Sequence, residues 1–432
     1  MFNEGKDQDL EEKNINDISV QKNNKKFWKD MGAAFKISNY RWYWSTQLLS
    51  GIGTWAQAIA QSWLILNLTH SAIDLGVITM LQFLPMLLFS LYGGVIADRL
   101  PRRQLLIFTQ IILAIQAIIL SVLVFTHSVT IWEIGLLALF LGTTNALNGP
   151  VQQSFIPELV SKDLVPNAVA LNSVQFNTSR MIGGAVGGIA IALWGISGAL
   201  LFNALSFIPI IILLIKIRPA YTIAKTNIMK QSAIIELKEG LVYAFQEISI
   251  RRIIFLFGII GLLGFNWQVA VPLIARFSLH QKVVEFGDLM AALGAGSLIG
   301  AIIQAKNNNA SERRIVIGGI ALGLSILLLG FSHSYILSMF LLVIAGFAGI
   351  ITSVTTNTRL QIITPDKYRG RIMGIYILLM GGTTPIGAFL FGELAGHFNT
   401  GIALIVFGGI TVVLISIIKI SNNHIDNFLN IE

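Results

Sequence analysis

Apolar residues run along this chain in long blocks, and short polar stretches interrupt them at nearly regular intervals. The blocks cover 42–67, 72–97, 104–126, 131–154, 167–194, 198–216, 253–275, 284–305, 315–331, 335–358, 372–396 and 400–420. A helix rises about 1.5 Å per residue, so about 20 apolar residues cross a hydrocarbon layer about 30 Å thick. Each block meets or approaches that length. The pattern predicts an all-α membrane protein with twelve transmembrane helices, and the long polar segment 216–252 divides them six and six.

The expected organisation follows. A polar tail with an amphipathic helix occupies 1–39, a six-helix half 40–216, a central linker 217–252, a second six-helix half 253–420 and a short tail 421–432. Residues 1–26 are polar and lack the apolar centre of a secretory signal, so none is expected. In "KFWKDMGAAFKISNYRWYW", Phe27, Met31 and Phe35 share one helical face ahead of an aromatic cluster. This predicts a helix lying on the membrane surface. Ile234, Leu237, Leu241 and Phe245 form a similar stripe in the linker.

Charge then orients the spans. Short cytoplasmic loops hold an excess of lysine and arginine. With the N-terminus inside, 27 of the 30 basic residues fall in inner segments, two (Arg276 and Lys282) in outer loops, and Arg180 within a span. Both termini are therefore expected in the cytoplasm. The net charge of +8 is a topology signal under this reading, which excludes nucleic acid as a partner. Only 12% of the residues are charged, against about 25% in ordinary soluble domains, which agrees with a multi-pass membrane location.

The chemistry that is missing narrows the function. The absence of cysteine removes disulfides, thiolate metal sites and thiol nucleophiles. The six histidines, at 70, 127, 280, 333, 397 and 424, stand near span ends rather than in a cluster. No enzyme activity, metal or cofactor is expected, and no Gly-x-x-x-x-Gly-Lys-Ser/Thr sequence supports ATP-driven pumping.

The halves carry a faint repeat. At an offset of 211 residues, Asp74-Leu75-Gly76 meets Glu285-Phe286-Gly287, and Arg102-Arg103 meets Arg313-Arg314. Pro157-Glu158 meets Pro365-Asp366 at an offset of 208. Parallel repeats of this kind occur in transporters that alternate access around a midplane site.

The turn between the second and third spans reads Gly94-Val-Ile-Ala-Asp98-Arg99-Leu-Pro101-Arg102-Arg103. It resembles the Gly-x-x-x-Asp-Arg-x-Gly-Arg-Arg signature of the major facilitator superfamily, with Pro101 replacing the usual glycine. "NYRWYWSTQLLSGIGTWAQAIAQSWLILNLTHSAIDLG", "PNAVALNSVQFNTSRMIGGAVGG" and "TPDKYRGRIMG" are similar to the bacterial transmembrane secretion effector branch, which includes enterobactin-exporter-like and macrolide-efflux-like proteins. The resemblance implies the major facilitator fold and alternating access. It also implies an inner gate in which Asp98 meets the start of the eleventh span near Gly370 and Arg371. Arg99, Arg102 and Arg103 belong to that gate or serve only as topology signals. The chain departs from the branch where Gly183-Gly184 lacks the usual preceding proline, and from many antiporters in having no arginine in its fourth span.

Arg180 is the sharpest residue within the spans. If the fifth span starts near Asn167, Arg180 lies close to mid-membrane, on a face shared with Ser173, Asn177, Gly184 and Gly187. It suits an anionic or oxygen-rich substrate, or a structural pairing with carbonyls or a carboxylate. Gln57 and Gln61 in the first span, Asn145 and Asn148 in the fourth, and Asn266, Trp267 and Gln268 in the seventh either line a polar cavity or bind helices together. Trp55, Trp63 and Trp267 offer faces for stacking. Glu393 is the candidate proton carrier, although it falls near the outer end of the eleventh span. The glycine runs at 183–188 and 381–387 serve close helix approach, or rocking of the halves.

The expected function is therefore proton-coupled export of a small amphiphilic, siderophore-like molecule across the bacterial inner membrane by a monomer in contact with lipid. Multidrug or macrolide-type efflux is the alternative within the class. A sensor or assembly factor that does not transport is the alternative outside it.

Overall fold

The computed structural model describes residues 32–217, 233–306 and 310–429, without the side chains of 90–99, 233–238, 305–306 and 420–429. Its helices are α1 (Ser38–Thr69), α2 (Ala72–Arg99), α3 (Arg102–Phe125), α4 (Ile131–Leu159), α5 (Val165–Lys216), α6 (Ala233–Gln246) and α7 (Ile248–Gly264). They continue with α8 (Trp267–Leu273), α9 (Val283–Lys306), α10 (Glu312–Phe331), α11 (Tyr335–Ile363), α12 (Asp366–Gly382), α13 (Thr384–His397) and α14 (Thr400–Leu429). The described residues contain no strand.

Among the described residues, ten stretches are long and apolar enough to cross a membrane. One of them, Lys162–Lys216, holds two of the expected spans. Within it α5 doubles back at Gly195, whose φ of 70° and ψ of 177° a side chain would resist. Both ends of α5 therefore lie at the same end of the bundle, with the Ala168 carbonyl beside Tyr40 and the Leu214 carbonyl beside Arg103. Ser38–Thr69 is not one of the ten apolar stretches, because buried amides and serines replace aliphatic residues along it. Counting α1 and both arms of α5, the helices accommodate the twelve expected spans.

The seventh and eleventh spans are each broken rather than continuous. Helix α7 stops at Gly264, and Phe265 and Asn266 lead into α8 and a five-residue π turn, Ile274–Ser278. Helix α12 ends at Gly382 and α13 begins at Thr384, with Pro385 in its first turn. The two breaks face each other, since a Cβ on Gly387 would fall 2.5 Å from Asn266 Oδ1.

We call α1–α5 the first set and α7–α14 the second. Glycines bring the sets together. On α5, Gly183 and Gly187 lie against α1, while Gly184 and Gly188 lie against α9. A Cβ on Gly287 would stand 2.6 Å from the Gly184 carbonyl oxygen, so neither helix tolerates a larger residue there. Helices α2 and α13 approach in the same way at Gly76 and Gly392.

These contacts close one end of the bundle. The other end carries Arg102, Arg103, Arg369 and Arg371, and we call it the basic end. There Gln153 of α4, Val169 of α5 and Ile362 of α11 remain exposed, and a Cβ on Gly149 of α4 or on Gly370 or Gly374 of α12 would meet nothing within 4 Å.

Two expectations about surface helices change in detail. Of the N-terminal amphipathic helix, Phe27 and Met31 lie outside the described residues. Its visible end is a 3-10 turn, Ala33–Lys36, with Phe35 packed on Tyr40 and Trp44 and the Ala34 amide donating to Asn167 Oδ1. In α6, Leu241 and Phe245 of the expected stripe are exposed, while Gly240 and Ala244 are buried against the bundle. The side chains of Ile234 and Leu237 lie outside the described residues; Leu241 and Phe245 point outward because Gly240 and Ala244 carry the packing face.

Candidate transport pathway and gates

Arg180 projects from α5 at the seam between the two sets. Its guanidinium donates through Nη2 to Ser297 Oγ on α9, and its Cζ lies 5.9 Å from the centre of the Trp55 ring on α1. Ser297 is itself fixed, since its hydroxyl is shared between the Leu293 and Gly346 carbonyls. The Arg180 Nε is buried and makes no hydrogen bond among the described residues. The described ion pairs join Arg102 to Glu158, Arg369 to Asp366, Arg371 to Glu239 and His397 to Glu393, and none of them involves Arg180. The result is a half-buried cation, its Nε fully enclosed, with a neutral hydroxyl and an aromatic ring as neighbours. Phe176, one turn toward the basic end, is exposed and meets Trp55 edge on at 5.8 Å. Asn145 and Ser173 are exposed as well, although both lie inside long apolar helices.

The other buried amides mostly bind helices within one set. Gln57 donates to Gln116 Oε1 at 3.0 Å and accepts from Asn203 Nδ2 at 2.6 Å, which joins α1, α3 and the second arm of α5. Gln61 donates to Gln82 Oε1 on α2 at 3.1 Å. Asn148 accepts from Thr109 and Gln110 of α3. Asn177 is buried and donates to the Ser173 carbonyl of its own helix. Satisfied in this way, these groups hold the first set together.

At the break between α7 and α8, Asn266 donates to the Leu262 carbonyl at 2.7 Å, while its Oδ1 is buried without a hydrogen-bond partner. It borders a cavity of about 10 Å³ shared with Trp267, Phe391 and Leu404, room for about one water. Trp267 is buried and Gln268 is half-buried beside it.

The basic end contains the expected gate residues. Arg102 pairs with Glu158 at 2.6 Å, with both side chains less than one-fifth exposed. Arg103 donates to the Leu214 and Ile215 carbonyls, each at 2.6 Å, and so caps the last turn of α5. The side chains of Asp98 and Arg99 lie outside the described residues. Arg371, near which the resemblance locates Asp98's partner, pairs with Glu239 of α6 at 2.6 Å and lies 5.5 Å from the Tyr368 ring. Tyr243 of α6 stacks on the same ring at 4.0 Å and 7°. Glu393 sits at the opposite end, one-third exposed, with its carboxylate 3.4 Å from His397 Nδ1.

Sequence reasoning missed Ser297, Glu239 and Tyr243. Nothing in the local pattern singles out a lone serine on a small-residue helix or one glutamate in a linker. Glu158 did leave a trace as part of the repeated Pro157-Glu158 pair.

Comparison with known proteins agrees with this arrangement. The chain is 24% identical over 364 residues to the staphyloferrin A transporter of Staphylococcus aureus, covering 83% of this chain and 90% of that protein. It is also 24% identical over 360 residues to the multidrug efflux pump Tap of Mycolicibacterium fortuitum, covering 81% and 87%. A solved structure of a POT family transporter in complex with a thioalcohol conjugated peptide superposes with a TM-score of 0.73 at 14% identity, covering 89% of this chain and 96% of that one. At that identity the likeness concerns the fold. The family model described as transmembrane secretion effector matches residues 31–428, and the chain belongs to that family of major facilitator transporters.

Proposed function

We propose that this protein is a secondary exporter that carries a small anionic, siderophore-like amphiphile out of the bacterial cytoplasm by alternating access. The observation that carries the reading is Arg180: a half-buried guanidinium between the sets, with no carboxylate paired to it among the described residues. A charge held away from water without a counter-ion is costly, and an anionic group of the cargo supplies the missing partner. The basic end faces the cytoplasm under the positive-inside rule, and the open space beside Gly149, Gly370 and Gly374 there suits entry of cargo from inside. A single copy in the inner membrane suffices, with both termini cytoplasmic.

Coupling to the proton gradient fits transport without ATP. Glu393 is the proposed carrier, with His397 Nδ1 3.4 Å from its carboxylate. Efflux of foreign compounds is the second reading. It is favoured by Trp55 and the exposed Phe176, whose faces stack on planar rings as readily as Arg180 binds an anion.

The test compares molecules secreted by a deletion strain and by a complemented strain, with and without iron, by untargeted mass spectrometry. Loss of an iron-chelating anion from the medium with build-up in the cells is the expected result. An unchanged secreted profile together with increased drug sensitivity would favour the second reading.

A further inference from the structure

Of the two cations expected in outer loops, Arg276 and Lys282, Arg276 occupies a position that topology does not explain. It stands on the π turn Ile274–Ser278, where the seventh span ends, opposite the last turns of α1. Its Nη1 donates to Asn67 Oδ1 at 2.6 Å, and its Nη2 lies 3.4 Å from His70 Nε2. Its Cζ is 5.0 Å from the centre of the Trp63 ring. Trp63, Asn67 and His70 are spaced four and three residues apart, so one helical face of the first set receives the guanidinium. Trp63 in turn stacks on Phe286 of α9 at 5.9 Å and 21°.

The rest of this closed end is packed by small residues. Gly188 lies on Val283 and Val284, Gly76 on Gly392, and Gly396 on Ile73. Such surfaces fit closely but lack directional bonds. Among the described residues, the polar contacts that cross between the sets at this end are those of Arg276. They lie near the water boundary, since Asn67 and His70 are exposed while Trp63 is buried. A π turn commonly marks a functional site, and here it presents the arginine to the facing helix.

We propose that Arg276 is the latch of the end opposite the basic end, a positioning residue whose bonds to Asn67 and Trp63 hold that end shut and must break each time the carrier opens there. The inference rests on alternating access and not on the identity of the cargo. It is read from distances without any transported molecule, so a failed export assay and a failed latch are separate results.

The chain has no native cysteine, so spin labels can be placed at will. One pair, Ser128→Cys with His333→Cys, reports the latched end. A second, Gln153→Cys with Ile362→Cys, reports the basic end. All four positions are exposed. Distances are measured by pulsed electron resonance on the full chain in lipid nanodiscs. Arg276→Gln is expected to raise the population open at the latched end about tenfold and to shorten the basic-end distance, as loss of a charged hydrogen bond would do. Arg276→Lys keeps a cation over Trp63 and should stay within about threefold of the parent. No opening in Arg276→Gln, or equal opening in Arg276→Lys, would overturn the proposal. If Arg276→Gln does not reach the membrane, Asn67→Leu removes the acceptor instead; it should open the same end, and an unchanged distribution would overturn the latch equally.

Discussion

The two sets repeat one charged turn and use it differently. In the first, Arg102 at the start of α3 reaches Glu158 at the end of α4, and Arg103 caps the end of α5, so one turn ties three helices. In the second set, the counterpart of Glu158 is Asp366. Its carboxylate is 88% exposed and pairs with Arg369 on its own helix. The basic end of α12 is held from outside by α6, through the Glu239–Arg371 pair and the Tyr243–Tyr368 stack. The difference teaches that a duplicated motif preserves position more strictly than task. The end of α4 is braced within the first set, whereas the start of α12 is tied to the linker helix α6.

The comparison can be broken first at its strongest point. Replacing Glu158 by Gln removes the charge that Arg102 meets at 2.6 Å in a mostly buried place, and we expect a loss of about 2–3 kcal/mol. Thermal unfolding of the purified protein in detergent, followed by tryptophan fluorescence, checks this as a lowered midpoint. A midpoint equal to that of the parent would mean that the turn does not brace the first set.

Releasing the external strut should cost less. Arg371→Gln removes a pair whose glutamate is 43% exposed, so the expected loss is below about 1 kcal/mol. Its clearer mark is local: amide exchange over residues 239–246 should quicken while α3 and α4 keep their protection. Uniform protection across α6 would argue that the helix is held by other contacts. The smallest effect is expected from Asp366→Asn, which breaks only an exposed pair within one turn and should shift the unfolding midpoint by no more than the error of measurement. A drop matching that of Glu158→Gln would restore the symmetry that the structure denies.

How much of this could be read from the chain depends on the range of each interaction. The spans were legible because apolar blocks record burial in lipid residue by residue, and the reversal at Gly195 falls in the short gap between two blocks. The break near Asn266 was visible too, as polar residues interrupting an apolar run. The role of Gln57 was not, since its partners Gln116 and Asn203 are 59 and 146 residues away, and an amide satisfied by them looks in sequence like one lining a cavity. The same holds for Arg371, whose partner lies in the linker, and for Arg276, which meets Asn67 across 209 residues. Arg180 stood out because a charge inside a span is rare on its own terms, but its neighbour Ser297 left no signal.

The central claim is that Arg180 supplies the cation for an anionic cargo. The direct measurement is efflux from cells loaded with a carboxylate siderophore and, separately, with an uncharged dye, comparing the parent, Arg180→Gln and Arg180→Lys at matched membrane levels. The account predicts that Arg180→Gln loses at least tenfold in siderophore efflux, that Arg180→Lys retains part of it, and that any dye efflux persists in both. Undiminished siderophore efflux by Arg180→Gln would contradict it.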